Sequence, residues 1–211
     1  MKFRRRSAPS EPLEEGLESS TEEPAPRQGP FDVDDVPDDG VQRVDLGSLI
    51  LTPESGRELR LQVDERTQEV SAVILSGADG ALELRAFSAP RNGDLWSTVR
   101  PQVAADMARR GGTATEQEGP FGPELLCQLS VKTADGRTGT QHSRIVGING
   151  SRWMLRATLL GRPATDPEAA ASWEQTLRNT IVRRGDHAMP VGDPLPVNLP
   201  ADARRVNASG Q

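Results

Sequence analysis

Between Leu59 and Asp64 apolar and polar residues alternate, Leu59, Leu61 and Val63 against Arg60, Gln62 and Asp64, the pattern of a strand with one buried and one wet face. Ser71 to Leu75 is apolar on both faces, which predicts a strand covered on both sides. Asp79-Gly80 turns the chain into Leu82, Leu84 and Ala86, with Glu83 and Arg85 pointing the other way. The three segments predict an antiparallel meander, and alternation already begins at Arg43.

The period then lengthens. Trp96, Val99, Val103 and Met107 recur at helical spacing behind Asp94, a suitable N-cap, and Gly111-Gly112 supplies the stop. Pro101 inside this helix predicts a kink or a later start, because proline removes an intrahelical hydrogen bond. Leu125, Cys127, Leu129 and Val131 restore alternation. Ile145 to Leu155 frames Asn149-Gly150 with apolar residues, which predicts a β-hairpin closed by a type I′ turn. Beyond it Trp153, Leu155, Ala157 and Leu159 share one strand face, and Arg152, Met154, Arg156 and Thr158 the other. A last helix has Asp166 as cap, Pro167 at its first position and the stripe Ala170, Trp173, Leu177 and Ile181, ending at Arg183-Arg184-Gly185. Strands, helix, strands and helix, without a repeating βαβ unit, predict a single α+β domain: a largely antiparallel β-sheet packed by two α-helices.

Charge sharpens the boundaries. Of 31 Asp+Glu and 25 Lys+Arg, residues 1–40 hold 11 acids and 5 bases, so the remainder balances at 20 of each sign. The segment from Ser7 to Gly40 has too few apolar residues to offset the entropy of ordering it. We therefore expect a disordered acidic N-terminal tail over 1–40, an α+β domain over 41–200 and a flexible C-terminal tail over 201–211. Pro190, Pro194, Pro196 and Pro200 predict an extended strap over the domain, with fraying from Asn198 onward.

Composition removes several chemistries. The lone Cys127 forms no internal disulfide and fits a reducing, cytoplasmic setting. It alternates with Leu125 and Leu129, which predicts a buried core thiol. No run approaches the ~20 apolar residues of an integral membrane segment. His142 and His187 lie in no triad motif, one Cys and two His do not make a zinc set, and no phosphate-binding glycine loop is present. Glu116 and Glu118 lack an aromatic sugar platform. No catalytic residue, metal or cofactor is assigned. A neutral domain, an acidic tail and the absence of Tyr argue against nucleic acid. Trp96, Trp153 and Trp173 are expected as anchors of one core. Arg152 and Arg156 beside Trp153 are the candidate binding surface, able to meet an anion or a partner; otherwise the two arginines are the wet face of a strand. These features suggest a non-enzymatic binding or accessory protein acting through contacts with an unknown protein partner. The alternative is an enzyme of unrecognised type, its site assembled from dispersed Arg and carboxylate side chains.

The segment Ser143-Arg144-Ile145-Val146-Gly147-Ile148-Asn149-Gly150-Ser151-Arg152-Trp153-Met154-Leu155-Arg156, followed by Leu160-Gly161-Arg162-Pro163-Ala164, resembles an actinobacterial family of unknown function, DUF3710. Leu46-Gly47-Ser48-Leu49, Phe87-Ser88-Ala89-Pro90 and Pro190-Val191-Gly192-Asp193-Pro194-Leu195-Pro196 extend the resemblance over the whole domain. It implies an actinobacterial source and a mostly cytosolic setting, and it brings no activity or site residue. The element order is also similar to that of the Mog1 and PsbP proteins, mainly binding or assembly modules.

Overall fold

A computed structural model describes residues 29–36, 39–132 and 136–199. In chain order the strands before the first helix are β1 (Phe31–Asp32), β2 (Val44–Asp45), β3 (Leu49–Leu51), β4 (Glu58–Val63), β5 (Val70–Ser76) and β6 (Gly80–Ser88). Helix α1 (Leu95–Arg109) leads into β7 (Thr113–Gly119), β8 (Gly122–Lys132), β9 (Thr138–Asn149) and β10 (Trp153–Gly161). Helix α2 (Pro167–Arg178) and β11 (Ile181–Val182) follow. The long strands form one antiparallel sheet in the order β4-β5-β6-β10-β9-β8-β7, and the short ones a second sheet, β1-β11-β3-β2. The α+β expectation holds.

Strand parity decides what each face of the large sheet meets. Val73, Leu75, Leu82, Leu84, Val146, Trp153, Leu155, Ala157 and Leu159 point to one side, where they pack with Trp173 and Leu177 of α2 and with Leu49, Leu51 and Val182 of the small sheet. Leu125, Cys127, Ile145 and Met154 point to the other side and meet Leu95, Trp96 and Met107 of α1. All three tryptophans are buried. They anchor two cores rather than one, because Trp96 lies across the sheet from Trp153 and Trp173.

Several boundaries differ from the sequence pattern. Pro101 sits inside α1 without delaying its start: Asp94 accepts the Ser97 N–H at 3.0 Å, and Asn149 Oδ1 accepts the Trp96 N–H at 3.1 Å. The expected hairpin forms, but Asn149-Gly150 is not its turn. Met154 pairs with Asn149 and the Gly150 N–H donates to the Trp153 carbonyl at 2.7 Å, which puts the turn at Ser151-Arg152. Neither Asn149 nor Gly150 has the positive φ that a type I′ turn demands. A Cβ on Gly150 would come within 2.1 Å of Trp153 Cε2, so glycine is required there for room rather than for its dihedrals.

The second helix also stops early. Asn179 caps it, and the β-branched run Thr180-Ile181-Val182 leaves the helix to pair with β1 and β3, so Ile181 is a strand residue. Phe31 and Asp32, within the stretch expected as tail, form β1 and pair in parallel with β11. The proline strap is present: the Leu195 N–H donates to the Ala86 carbonyl at 2.8 Å, and the Asn198 N–H to the Leu46 carbonyl at 2.8 Å, so Asn198 is held rather than frayed. Residues 1–28 and 37–38 of the predicted N-terminal tail, and the predicted C-terminal tail, 201–211, lie outside the described residues.

Candidate functional site

Four segments meet at the end of the sheet where β6 stops and β10 begins. The loop after β6 is fastened to the β9–β10 turn, the Ala89 N–H donating to the Arg152 carbonyl at 2.9 Å and the Asn92 N–H to the Ser151 carbonyl at 2.8 Å. Asn92 adopts φ 51°, a left-handed conformation that asparagine tolerates better than most residues. The β1 segment and residues 183–186 close the other sides. Together they line a cleft of about 680 Å³ that includes Arg91, Arg152, Arg183 and Arg184 with Asp32, Asp34 and Asp186.

The charges differ in how far they are committed. Arg183 is locked: its Nη1 donates to both Asp45 oxygens at 2.9 and 2.8 Å and to the Gly47 carbonyl at 3.1 Å. Arg184 donates from Nη1 to the His187 carbonyl at 3.1 Å, while its Nε is buried without a partner among the described residues. Arg152 makes one long bond, 3.5 Å, to the Gly185 carbonyl. Arg91 is exposed and makes no hydrogen bond or ion pair with another described residue. Two to three guanidinium forks, each with planar donors matched to a carboxylate, therefore stand available in the cleft.

Asp32 is the fixed wall. Its Oδ2 accepts the Ser151 hydroxyl at 2.7 Å and the Trp153 indole N–H at 2.9 Å. Burial pushes this carboxyl up; the bonds from Ser151, Trp153 and the Asp34 N–H, with Arg152 nearby, outweigh it and leave it below the ordinary aspartate range. The acid stays ionised and pins the β1 segment to the turn that carries Arg152.

The candidate surface of Trp153, Arg152 and Arg156 is thus divided. Arg152 lines the cleft. Trp153 is 1% exposed and touches no solvent-facing ligand position; it acts on the cleft through Asp32. Arg156 lies elsewhere, on the strand face that also carries Met154, stacked 5.3 Å from the Phe87 ring centroid. Arg91, Arg183 and Arg184 escaped the sequence reading, the last two because they were placed at a helix end that the chain does not form.

A second assembly of Arg and carboxylate side chains lies on the α2 side of the sheet. Glu124 Oε1 accepts from Gln117 Nε2 at 2.8 Å and its Oε2 from Arg144 Nε at 3.1 Å, and Arg144 Nη2 donates to Glu174, which Arg178 approaches at 3.7 Å. Glu124 is 1% and Arg144 7% exposed. Bonded to one another, with Glu124 and Arg144 buried at the centre, these groups tie β7, β8, β9 and α2 together. Cys127 is buried, and burial raises its thiol pKa, the Ser143 contact offsetting this only in part. His142 and His187 are exposed, and Glu116 is engaged by Arg100 at 2.9 and 3.0 Å. Among the described residues no three His, Cys, Asp or Glu side chains cluster to hold a metal, and no helix is long and apolar enough to cross a membrane.

Fold and site together define an α+β domain with a mixed-charge, arginine-bearing cleft at one end of an antiparallel sheet. Residues 29–206 match the family model described as protein of unknown function (DUF3710), and the chain belongs to that family. The matched region starts two residues before β1, in keeping with β1 as part of the domain. No curated protein matches the chain. A solved protein from Bacteroides thetaiotaomicron VPI-5482 is similar at 10% identity and TM-score 0.38, over 68% of this chain and 48% of that one, so the chain spans about half of its length. A likeness at that level bears on neither fold nor function.

Proposed function

We propose that the protein is a non-enzymatic binding or accessory module whose cleft takes a charged loop or tail of a partner protein. The observation that carries this reading is the convergence, from separate segments, of Arg91 and Arg152 as uncommitted forks beside a fixed, ionised Asp32. Four arginines against three aspartates make the lining mixed rather than uniformly basic. A peptide segment carrying both signs complements such a surface, whereas nucleic acid rewards a continuous basic track. Electrostatic complementarity of this kind sets specificity and association rate more than affinity.

Charge reversal tests it. The R91E/R152E variant is expected to lose at least tenfold in recovery of the partners that cross-link to the wild-type protein while keeping its fold by circular dichroism, since both side chains are exposed and make no ion pair with a described residue; a modest loss of thermal stability is expected because Arg152 supports the ionised Asp32. Equal recovery by the variant, or a metabolite co-purifying at stoichiometric amounts with the wild type alone, refutes the reading.

A further inference from the structure

The face of the large sheet that carries Arg156 is only half covered. Helix α1 packs over β7, β8 and β9. Beside it, on the same face, lie Ile74 of β5, Glu83, Arg85 and Phe87 of β6, and Arg156, Thr158 and Leu160 of β10, all partly exposed, and no described helix lies above them. The two arginines are direct cross-strand neighbours, Arg156 opposite Arg85. Side chains so paired stand about 5 Å apart at Cβ, and like charges there are destabilising.

Only one of them is neutralised. Arg85 Nε donates to Glu83 Oε1 at 2.7 Å. Arg156 makes no hydrogen bond or ion pair with a described residue; its guanidinium rests on Phe87, and burial first, then Arg85, depress its pKa against a smaller opposite pull from Glu83. Glu83 draws on Arg156 in the opposite sense, but it is already bonded to Arg85, so among the described residues this partly desolvated cation beside another cation is only partly offset. Chemistry supplied from outside would offset it.

We propose that Arg156, with Arg85 beside it, anchors a second binding surface that receives a carboxylate, an Asp or Glu side chain set among apolar residues on a helix of a partner protein. The surplus is a single positive charge, since Glu83 already balances Arg85, so a monoanion matches it and a phosphate dianion would be repelled by Glu83. Phe87 lies under the guanidinium, and Ile74 and Leu160 add apolar surface farther along the same face. The three inter-strand steps from β4 to β10 span about 14 Å, room for one helix of about 10–12 Å diameter lying alongside α1. This surface is independent of the cleft.

The test uses the full chain and two measurements. Replacing the guanidinium by an apolar side chain of similar length, R156M, is expected to raise Tm by about 2–4 °C. In 15N-resolved NMR, a helical probe peptide with one Glu among Leu and Ala should shift the Arg156 Nε–Hε signal and the amides of β6 and β10. Its Gln counterpart, or the Glu peptide with the R156M protein, should bind at least tenfold more weakly. A lower Tm for R156M overturns the proposal. So do equal binding of the two peptides, shifts confined to Arg91 and Arg152, or larger shifts of the same signals with inorganic phosphate at equal concentration.

Discussion

Arg144 holds two carboxylates at once, and replacing it with methionine should cost more than any surface substitution in this protein. Its guanidinium bonds Glu124 of the neighbouring strand and Glu174 of α2. Without it, among the described residues Glu124, 1% exposed, keeps the Gln117 amide at 2.8 Å, and Glu174 keeps Arg178 at 3.7 Å. Removing one member of a buried pair costs about 3–5 kcal/mol, because the remaining charge is left desolvated and unpaired. For a domain of this size each kcal/mol moves Tm by about 2–4 °C, so R144M should fall by about 6–20 °C. The double variant E124Q/R144M removes both charges of the inner pair, and its loss should be smaller than the sum of the single losses by about 1–3 kcal/mol. Urea and thermal unfolding followed by far-ultraviolet circular dichroism measure both quantities. A loss below about 1 kcal/mol for R144M, or additivity of the two changes, refutes the view that this network is a saturated structural tie.

Two further perturbations probe the packing of α1 and the fixed wall of the cleft. Gly147 lies so close under α1 that a Cβ would sit 2.0 Å from Trp96 Cδ2; G147A should destabilise by about 1–3 kcal/mol and alter the near-ultraviolet signal of Trp96, and stability within 0.5 kcal/mol of wild type would contradict the packing. Asp32 has a depressed carboxyl pKa in the folded protein, so its contribution is full above the unfolded value of about 3.9 and is lost as pH falls through the lower folded value. Urea titrations should therefore show wild type more stable than D32N near neutrality and the two converging in strong acid; a gap that stays constant or widens on acidification has the wrong sign.

The sheet and both helices were legible because parity and helical spacing are enforced by burial. Trp153, Leu155, Ala157 and Leu159 share a face in the sequence and share a core in the fold. The small second sheet was not legible, since strands of two or three residues such as Val44–Asp45 and Ile181–Val182 are too short to show a period. Ile181 misled for a physical reason: it continues the helical stripe of Leu177, yet its β-branched neighbours favour extended backbone once Asn179 has ended the helix. Asn149-Gly150 has the composition of a type I′ turn, but each residue is committed elsewhere, Asn149 to the start of α1 and Gly150 to the indole of Trp153. The cleft was beyond reach because Arg91, Arg152 and Arg184 lie far apart in sequence and meet only through loop pairing.

The division of the arginines follows from strand parity and carries its own logic. On β10 the odd residues face α2 and the small sheet, the even ones the α1 side. Trp153 therefore reaches Asp32 and stiffens the cleft, while Arg156, three residues on, faces the opposite solvent, with the tightly packed Leu155 and Ala157 between the two sides. Close-packed interiors transmit strain but do not deform continuously. The elements the Arg156 surface shares with the cleft are β6 and β10, already fixed to each other by their ladder, so occupation of one surface has no loose element through which to move the other. A partner held by both surfaces would gain by effective concentration rather than by conformational coupling, so the affinity of the pair should exceed that of either surface without either one altering the other.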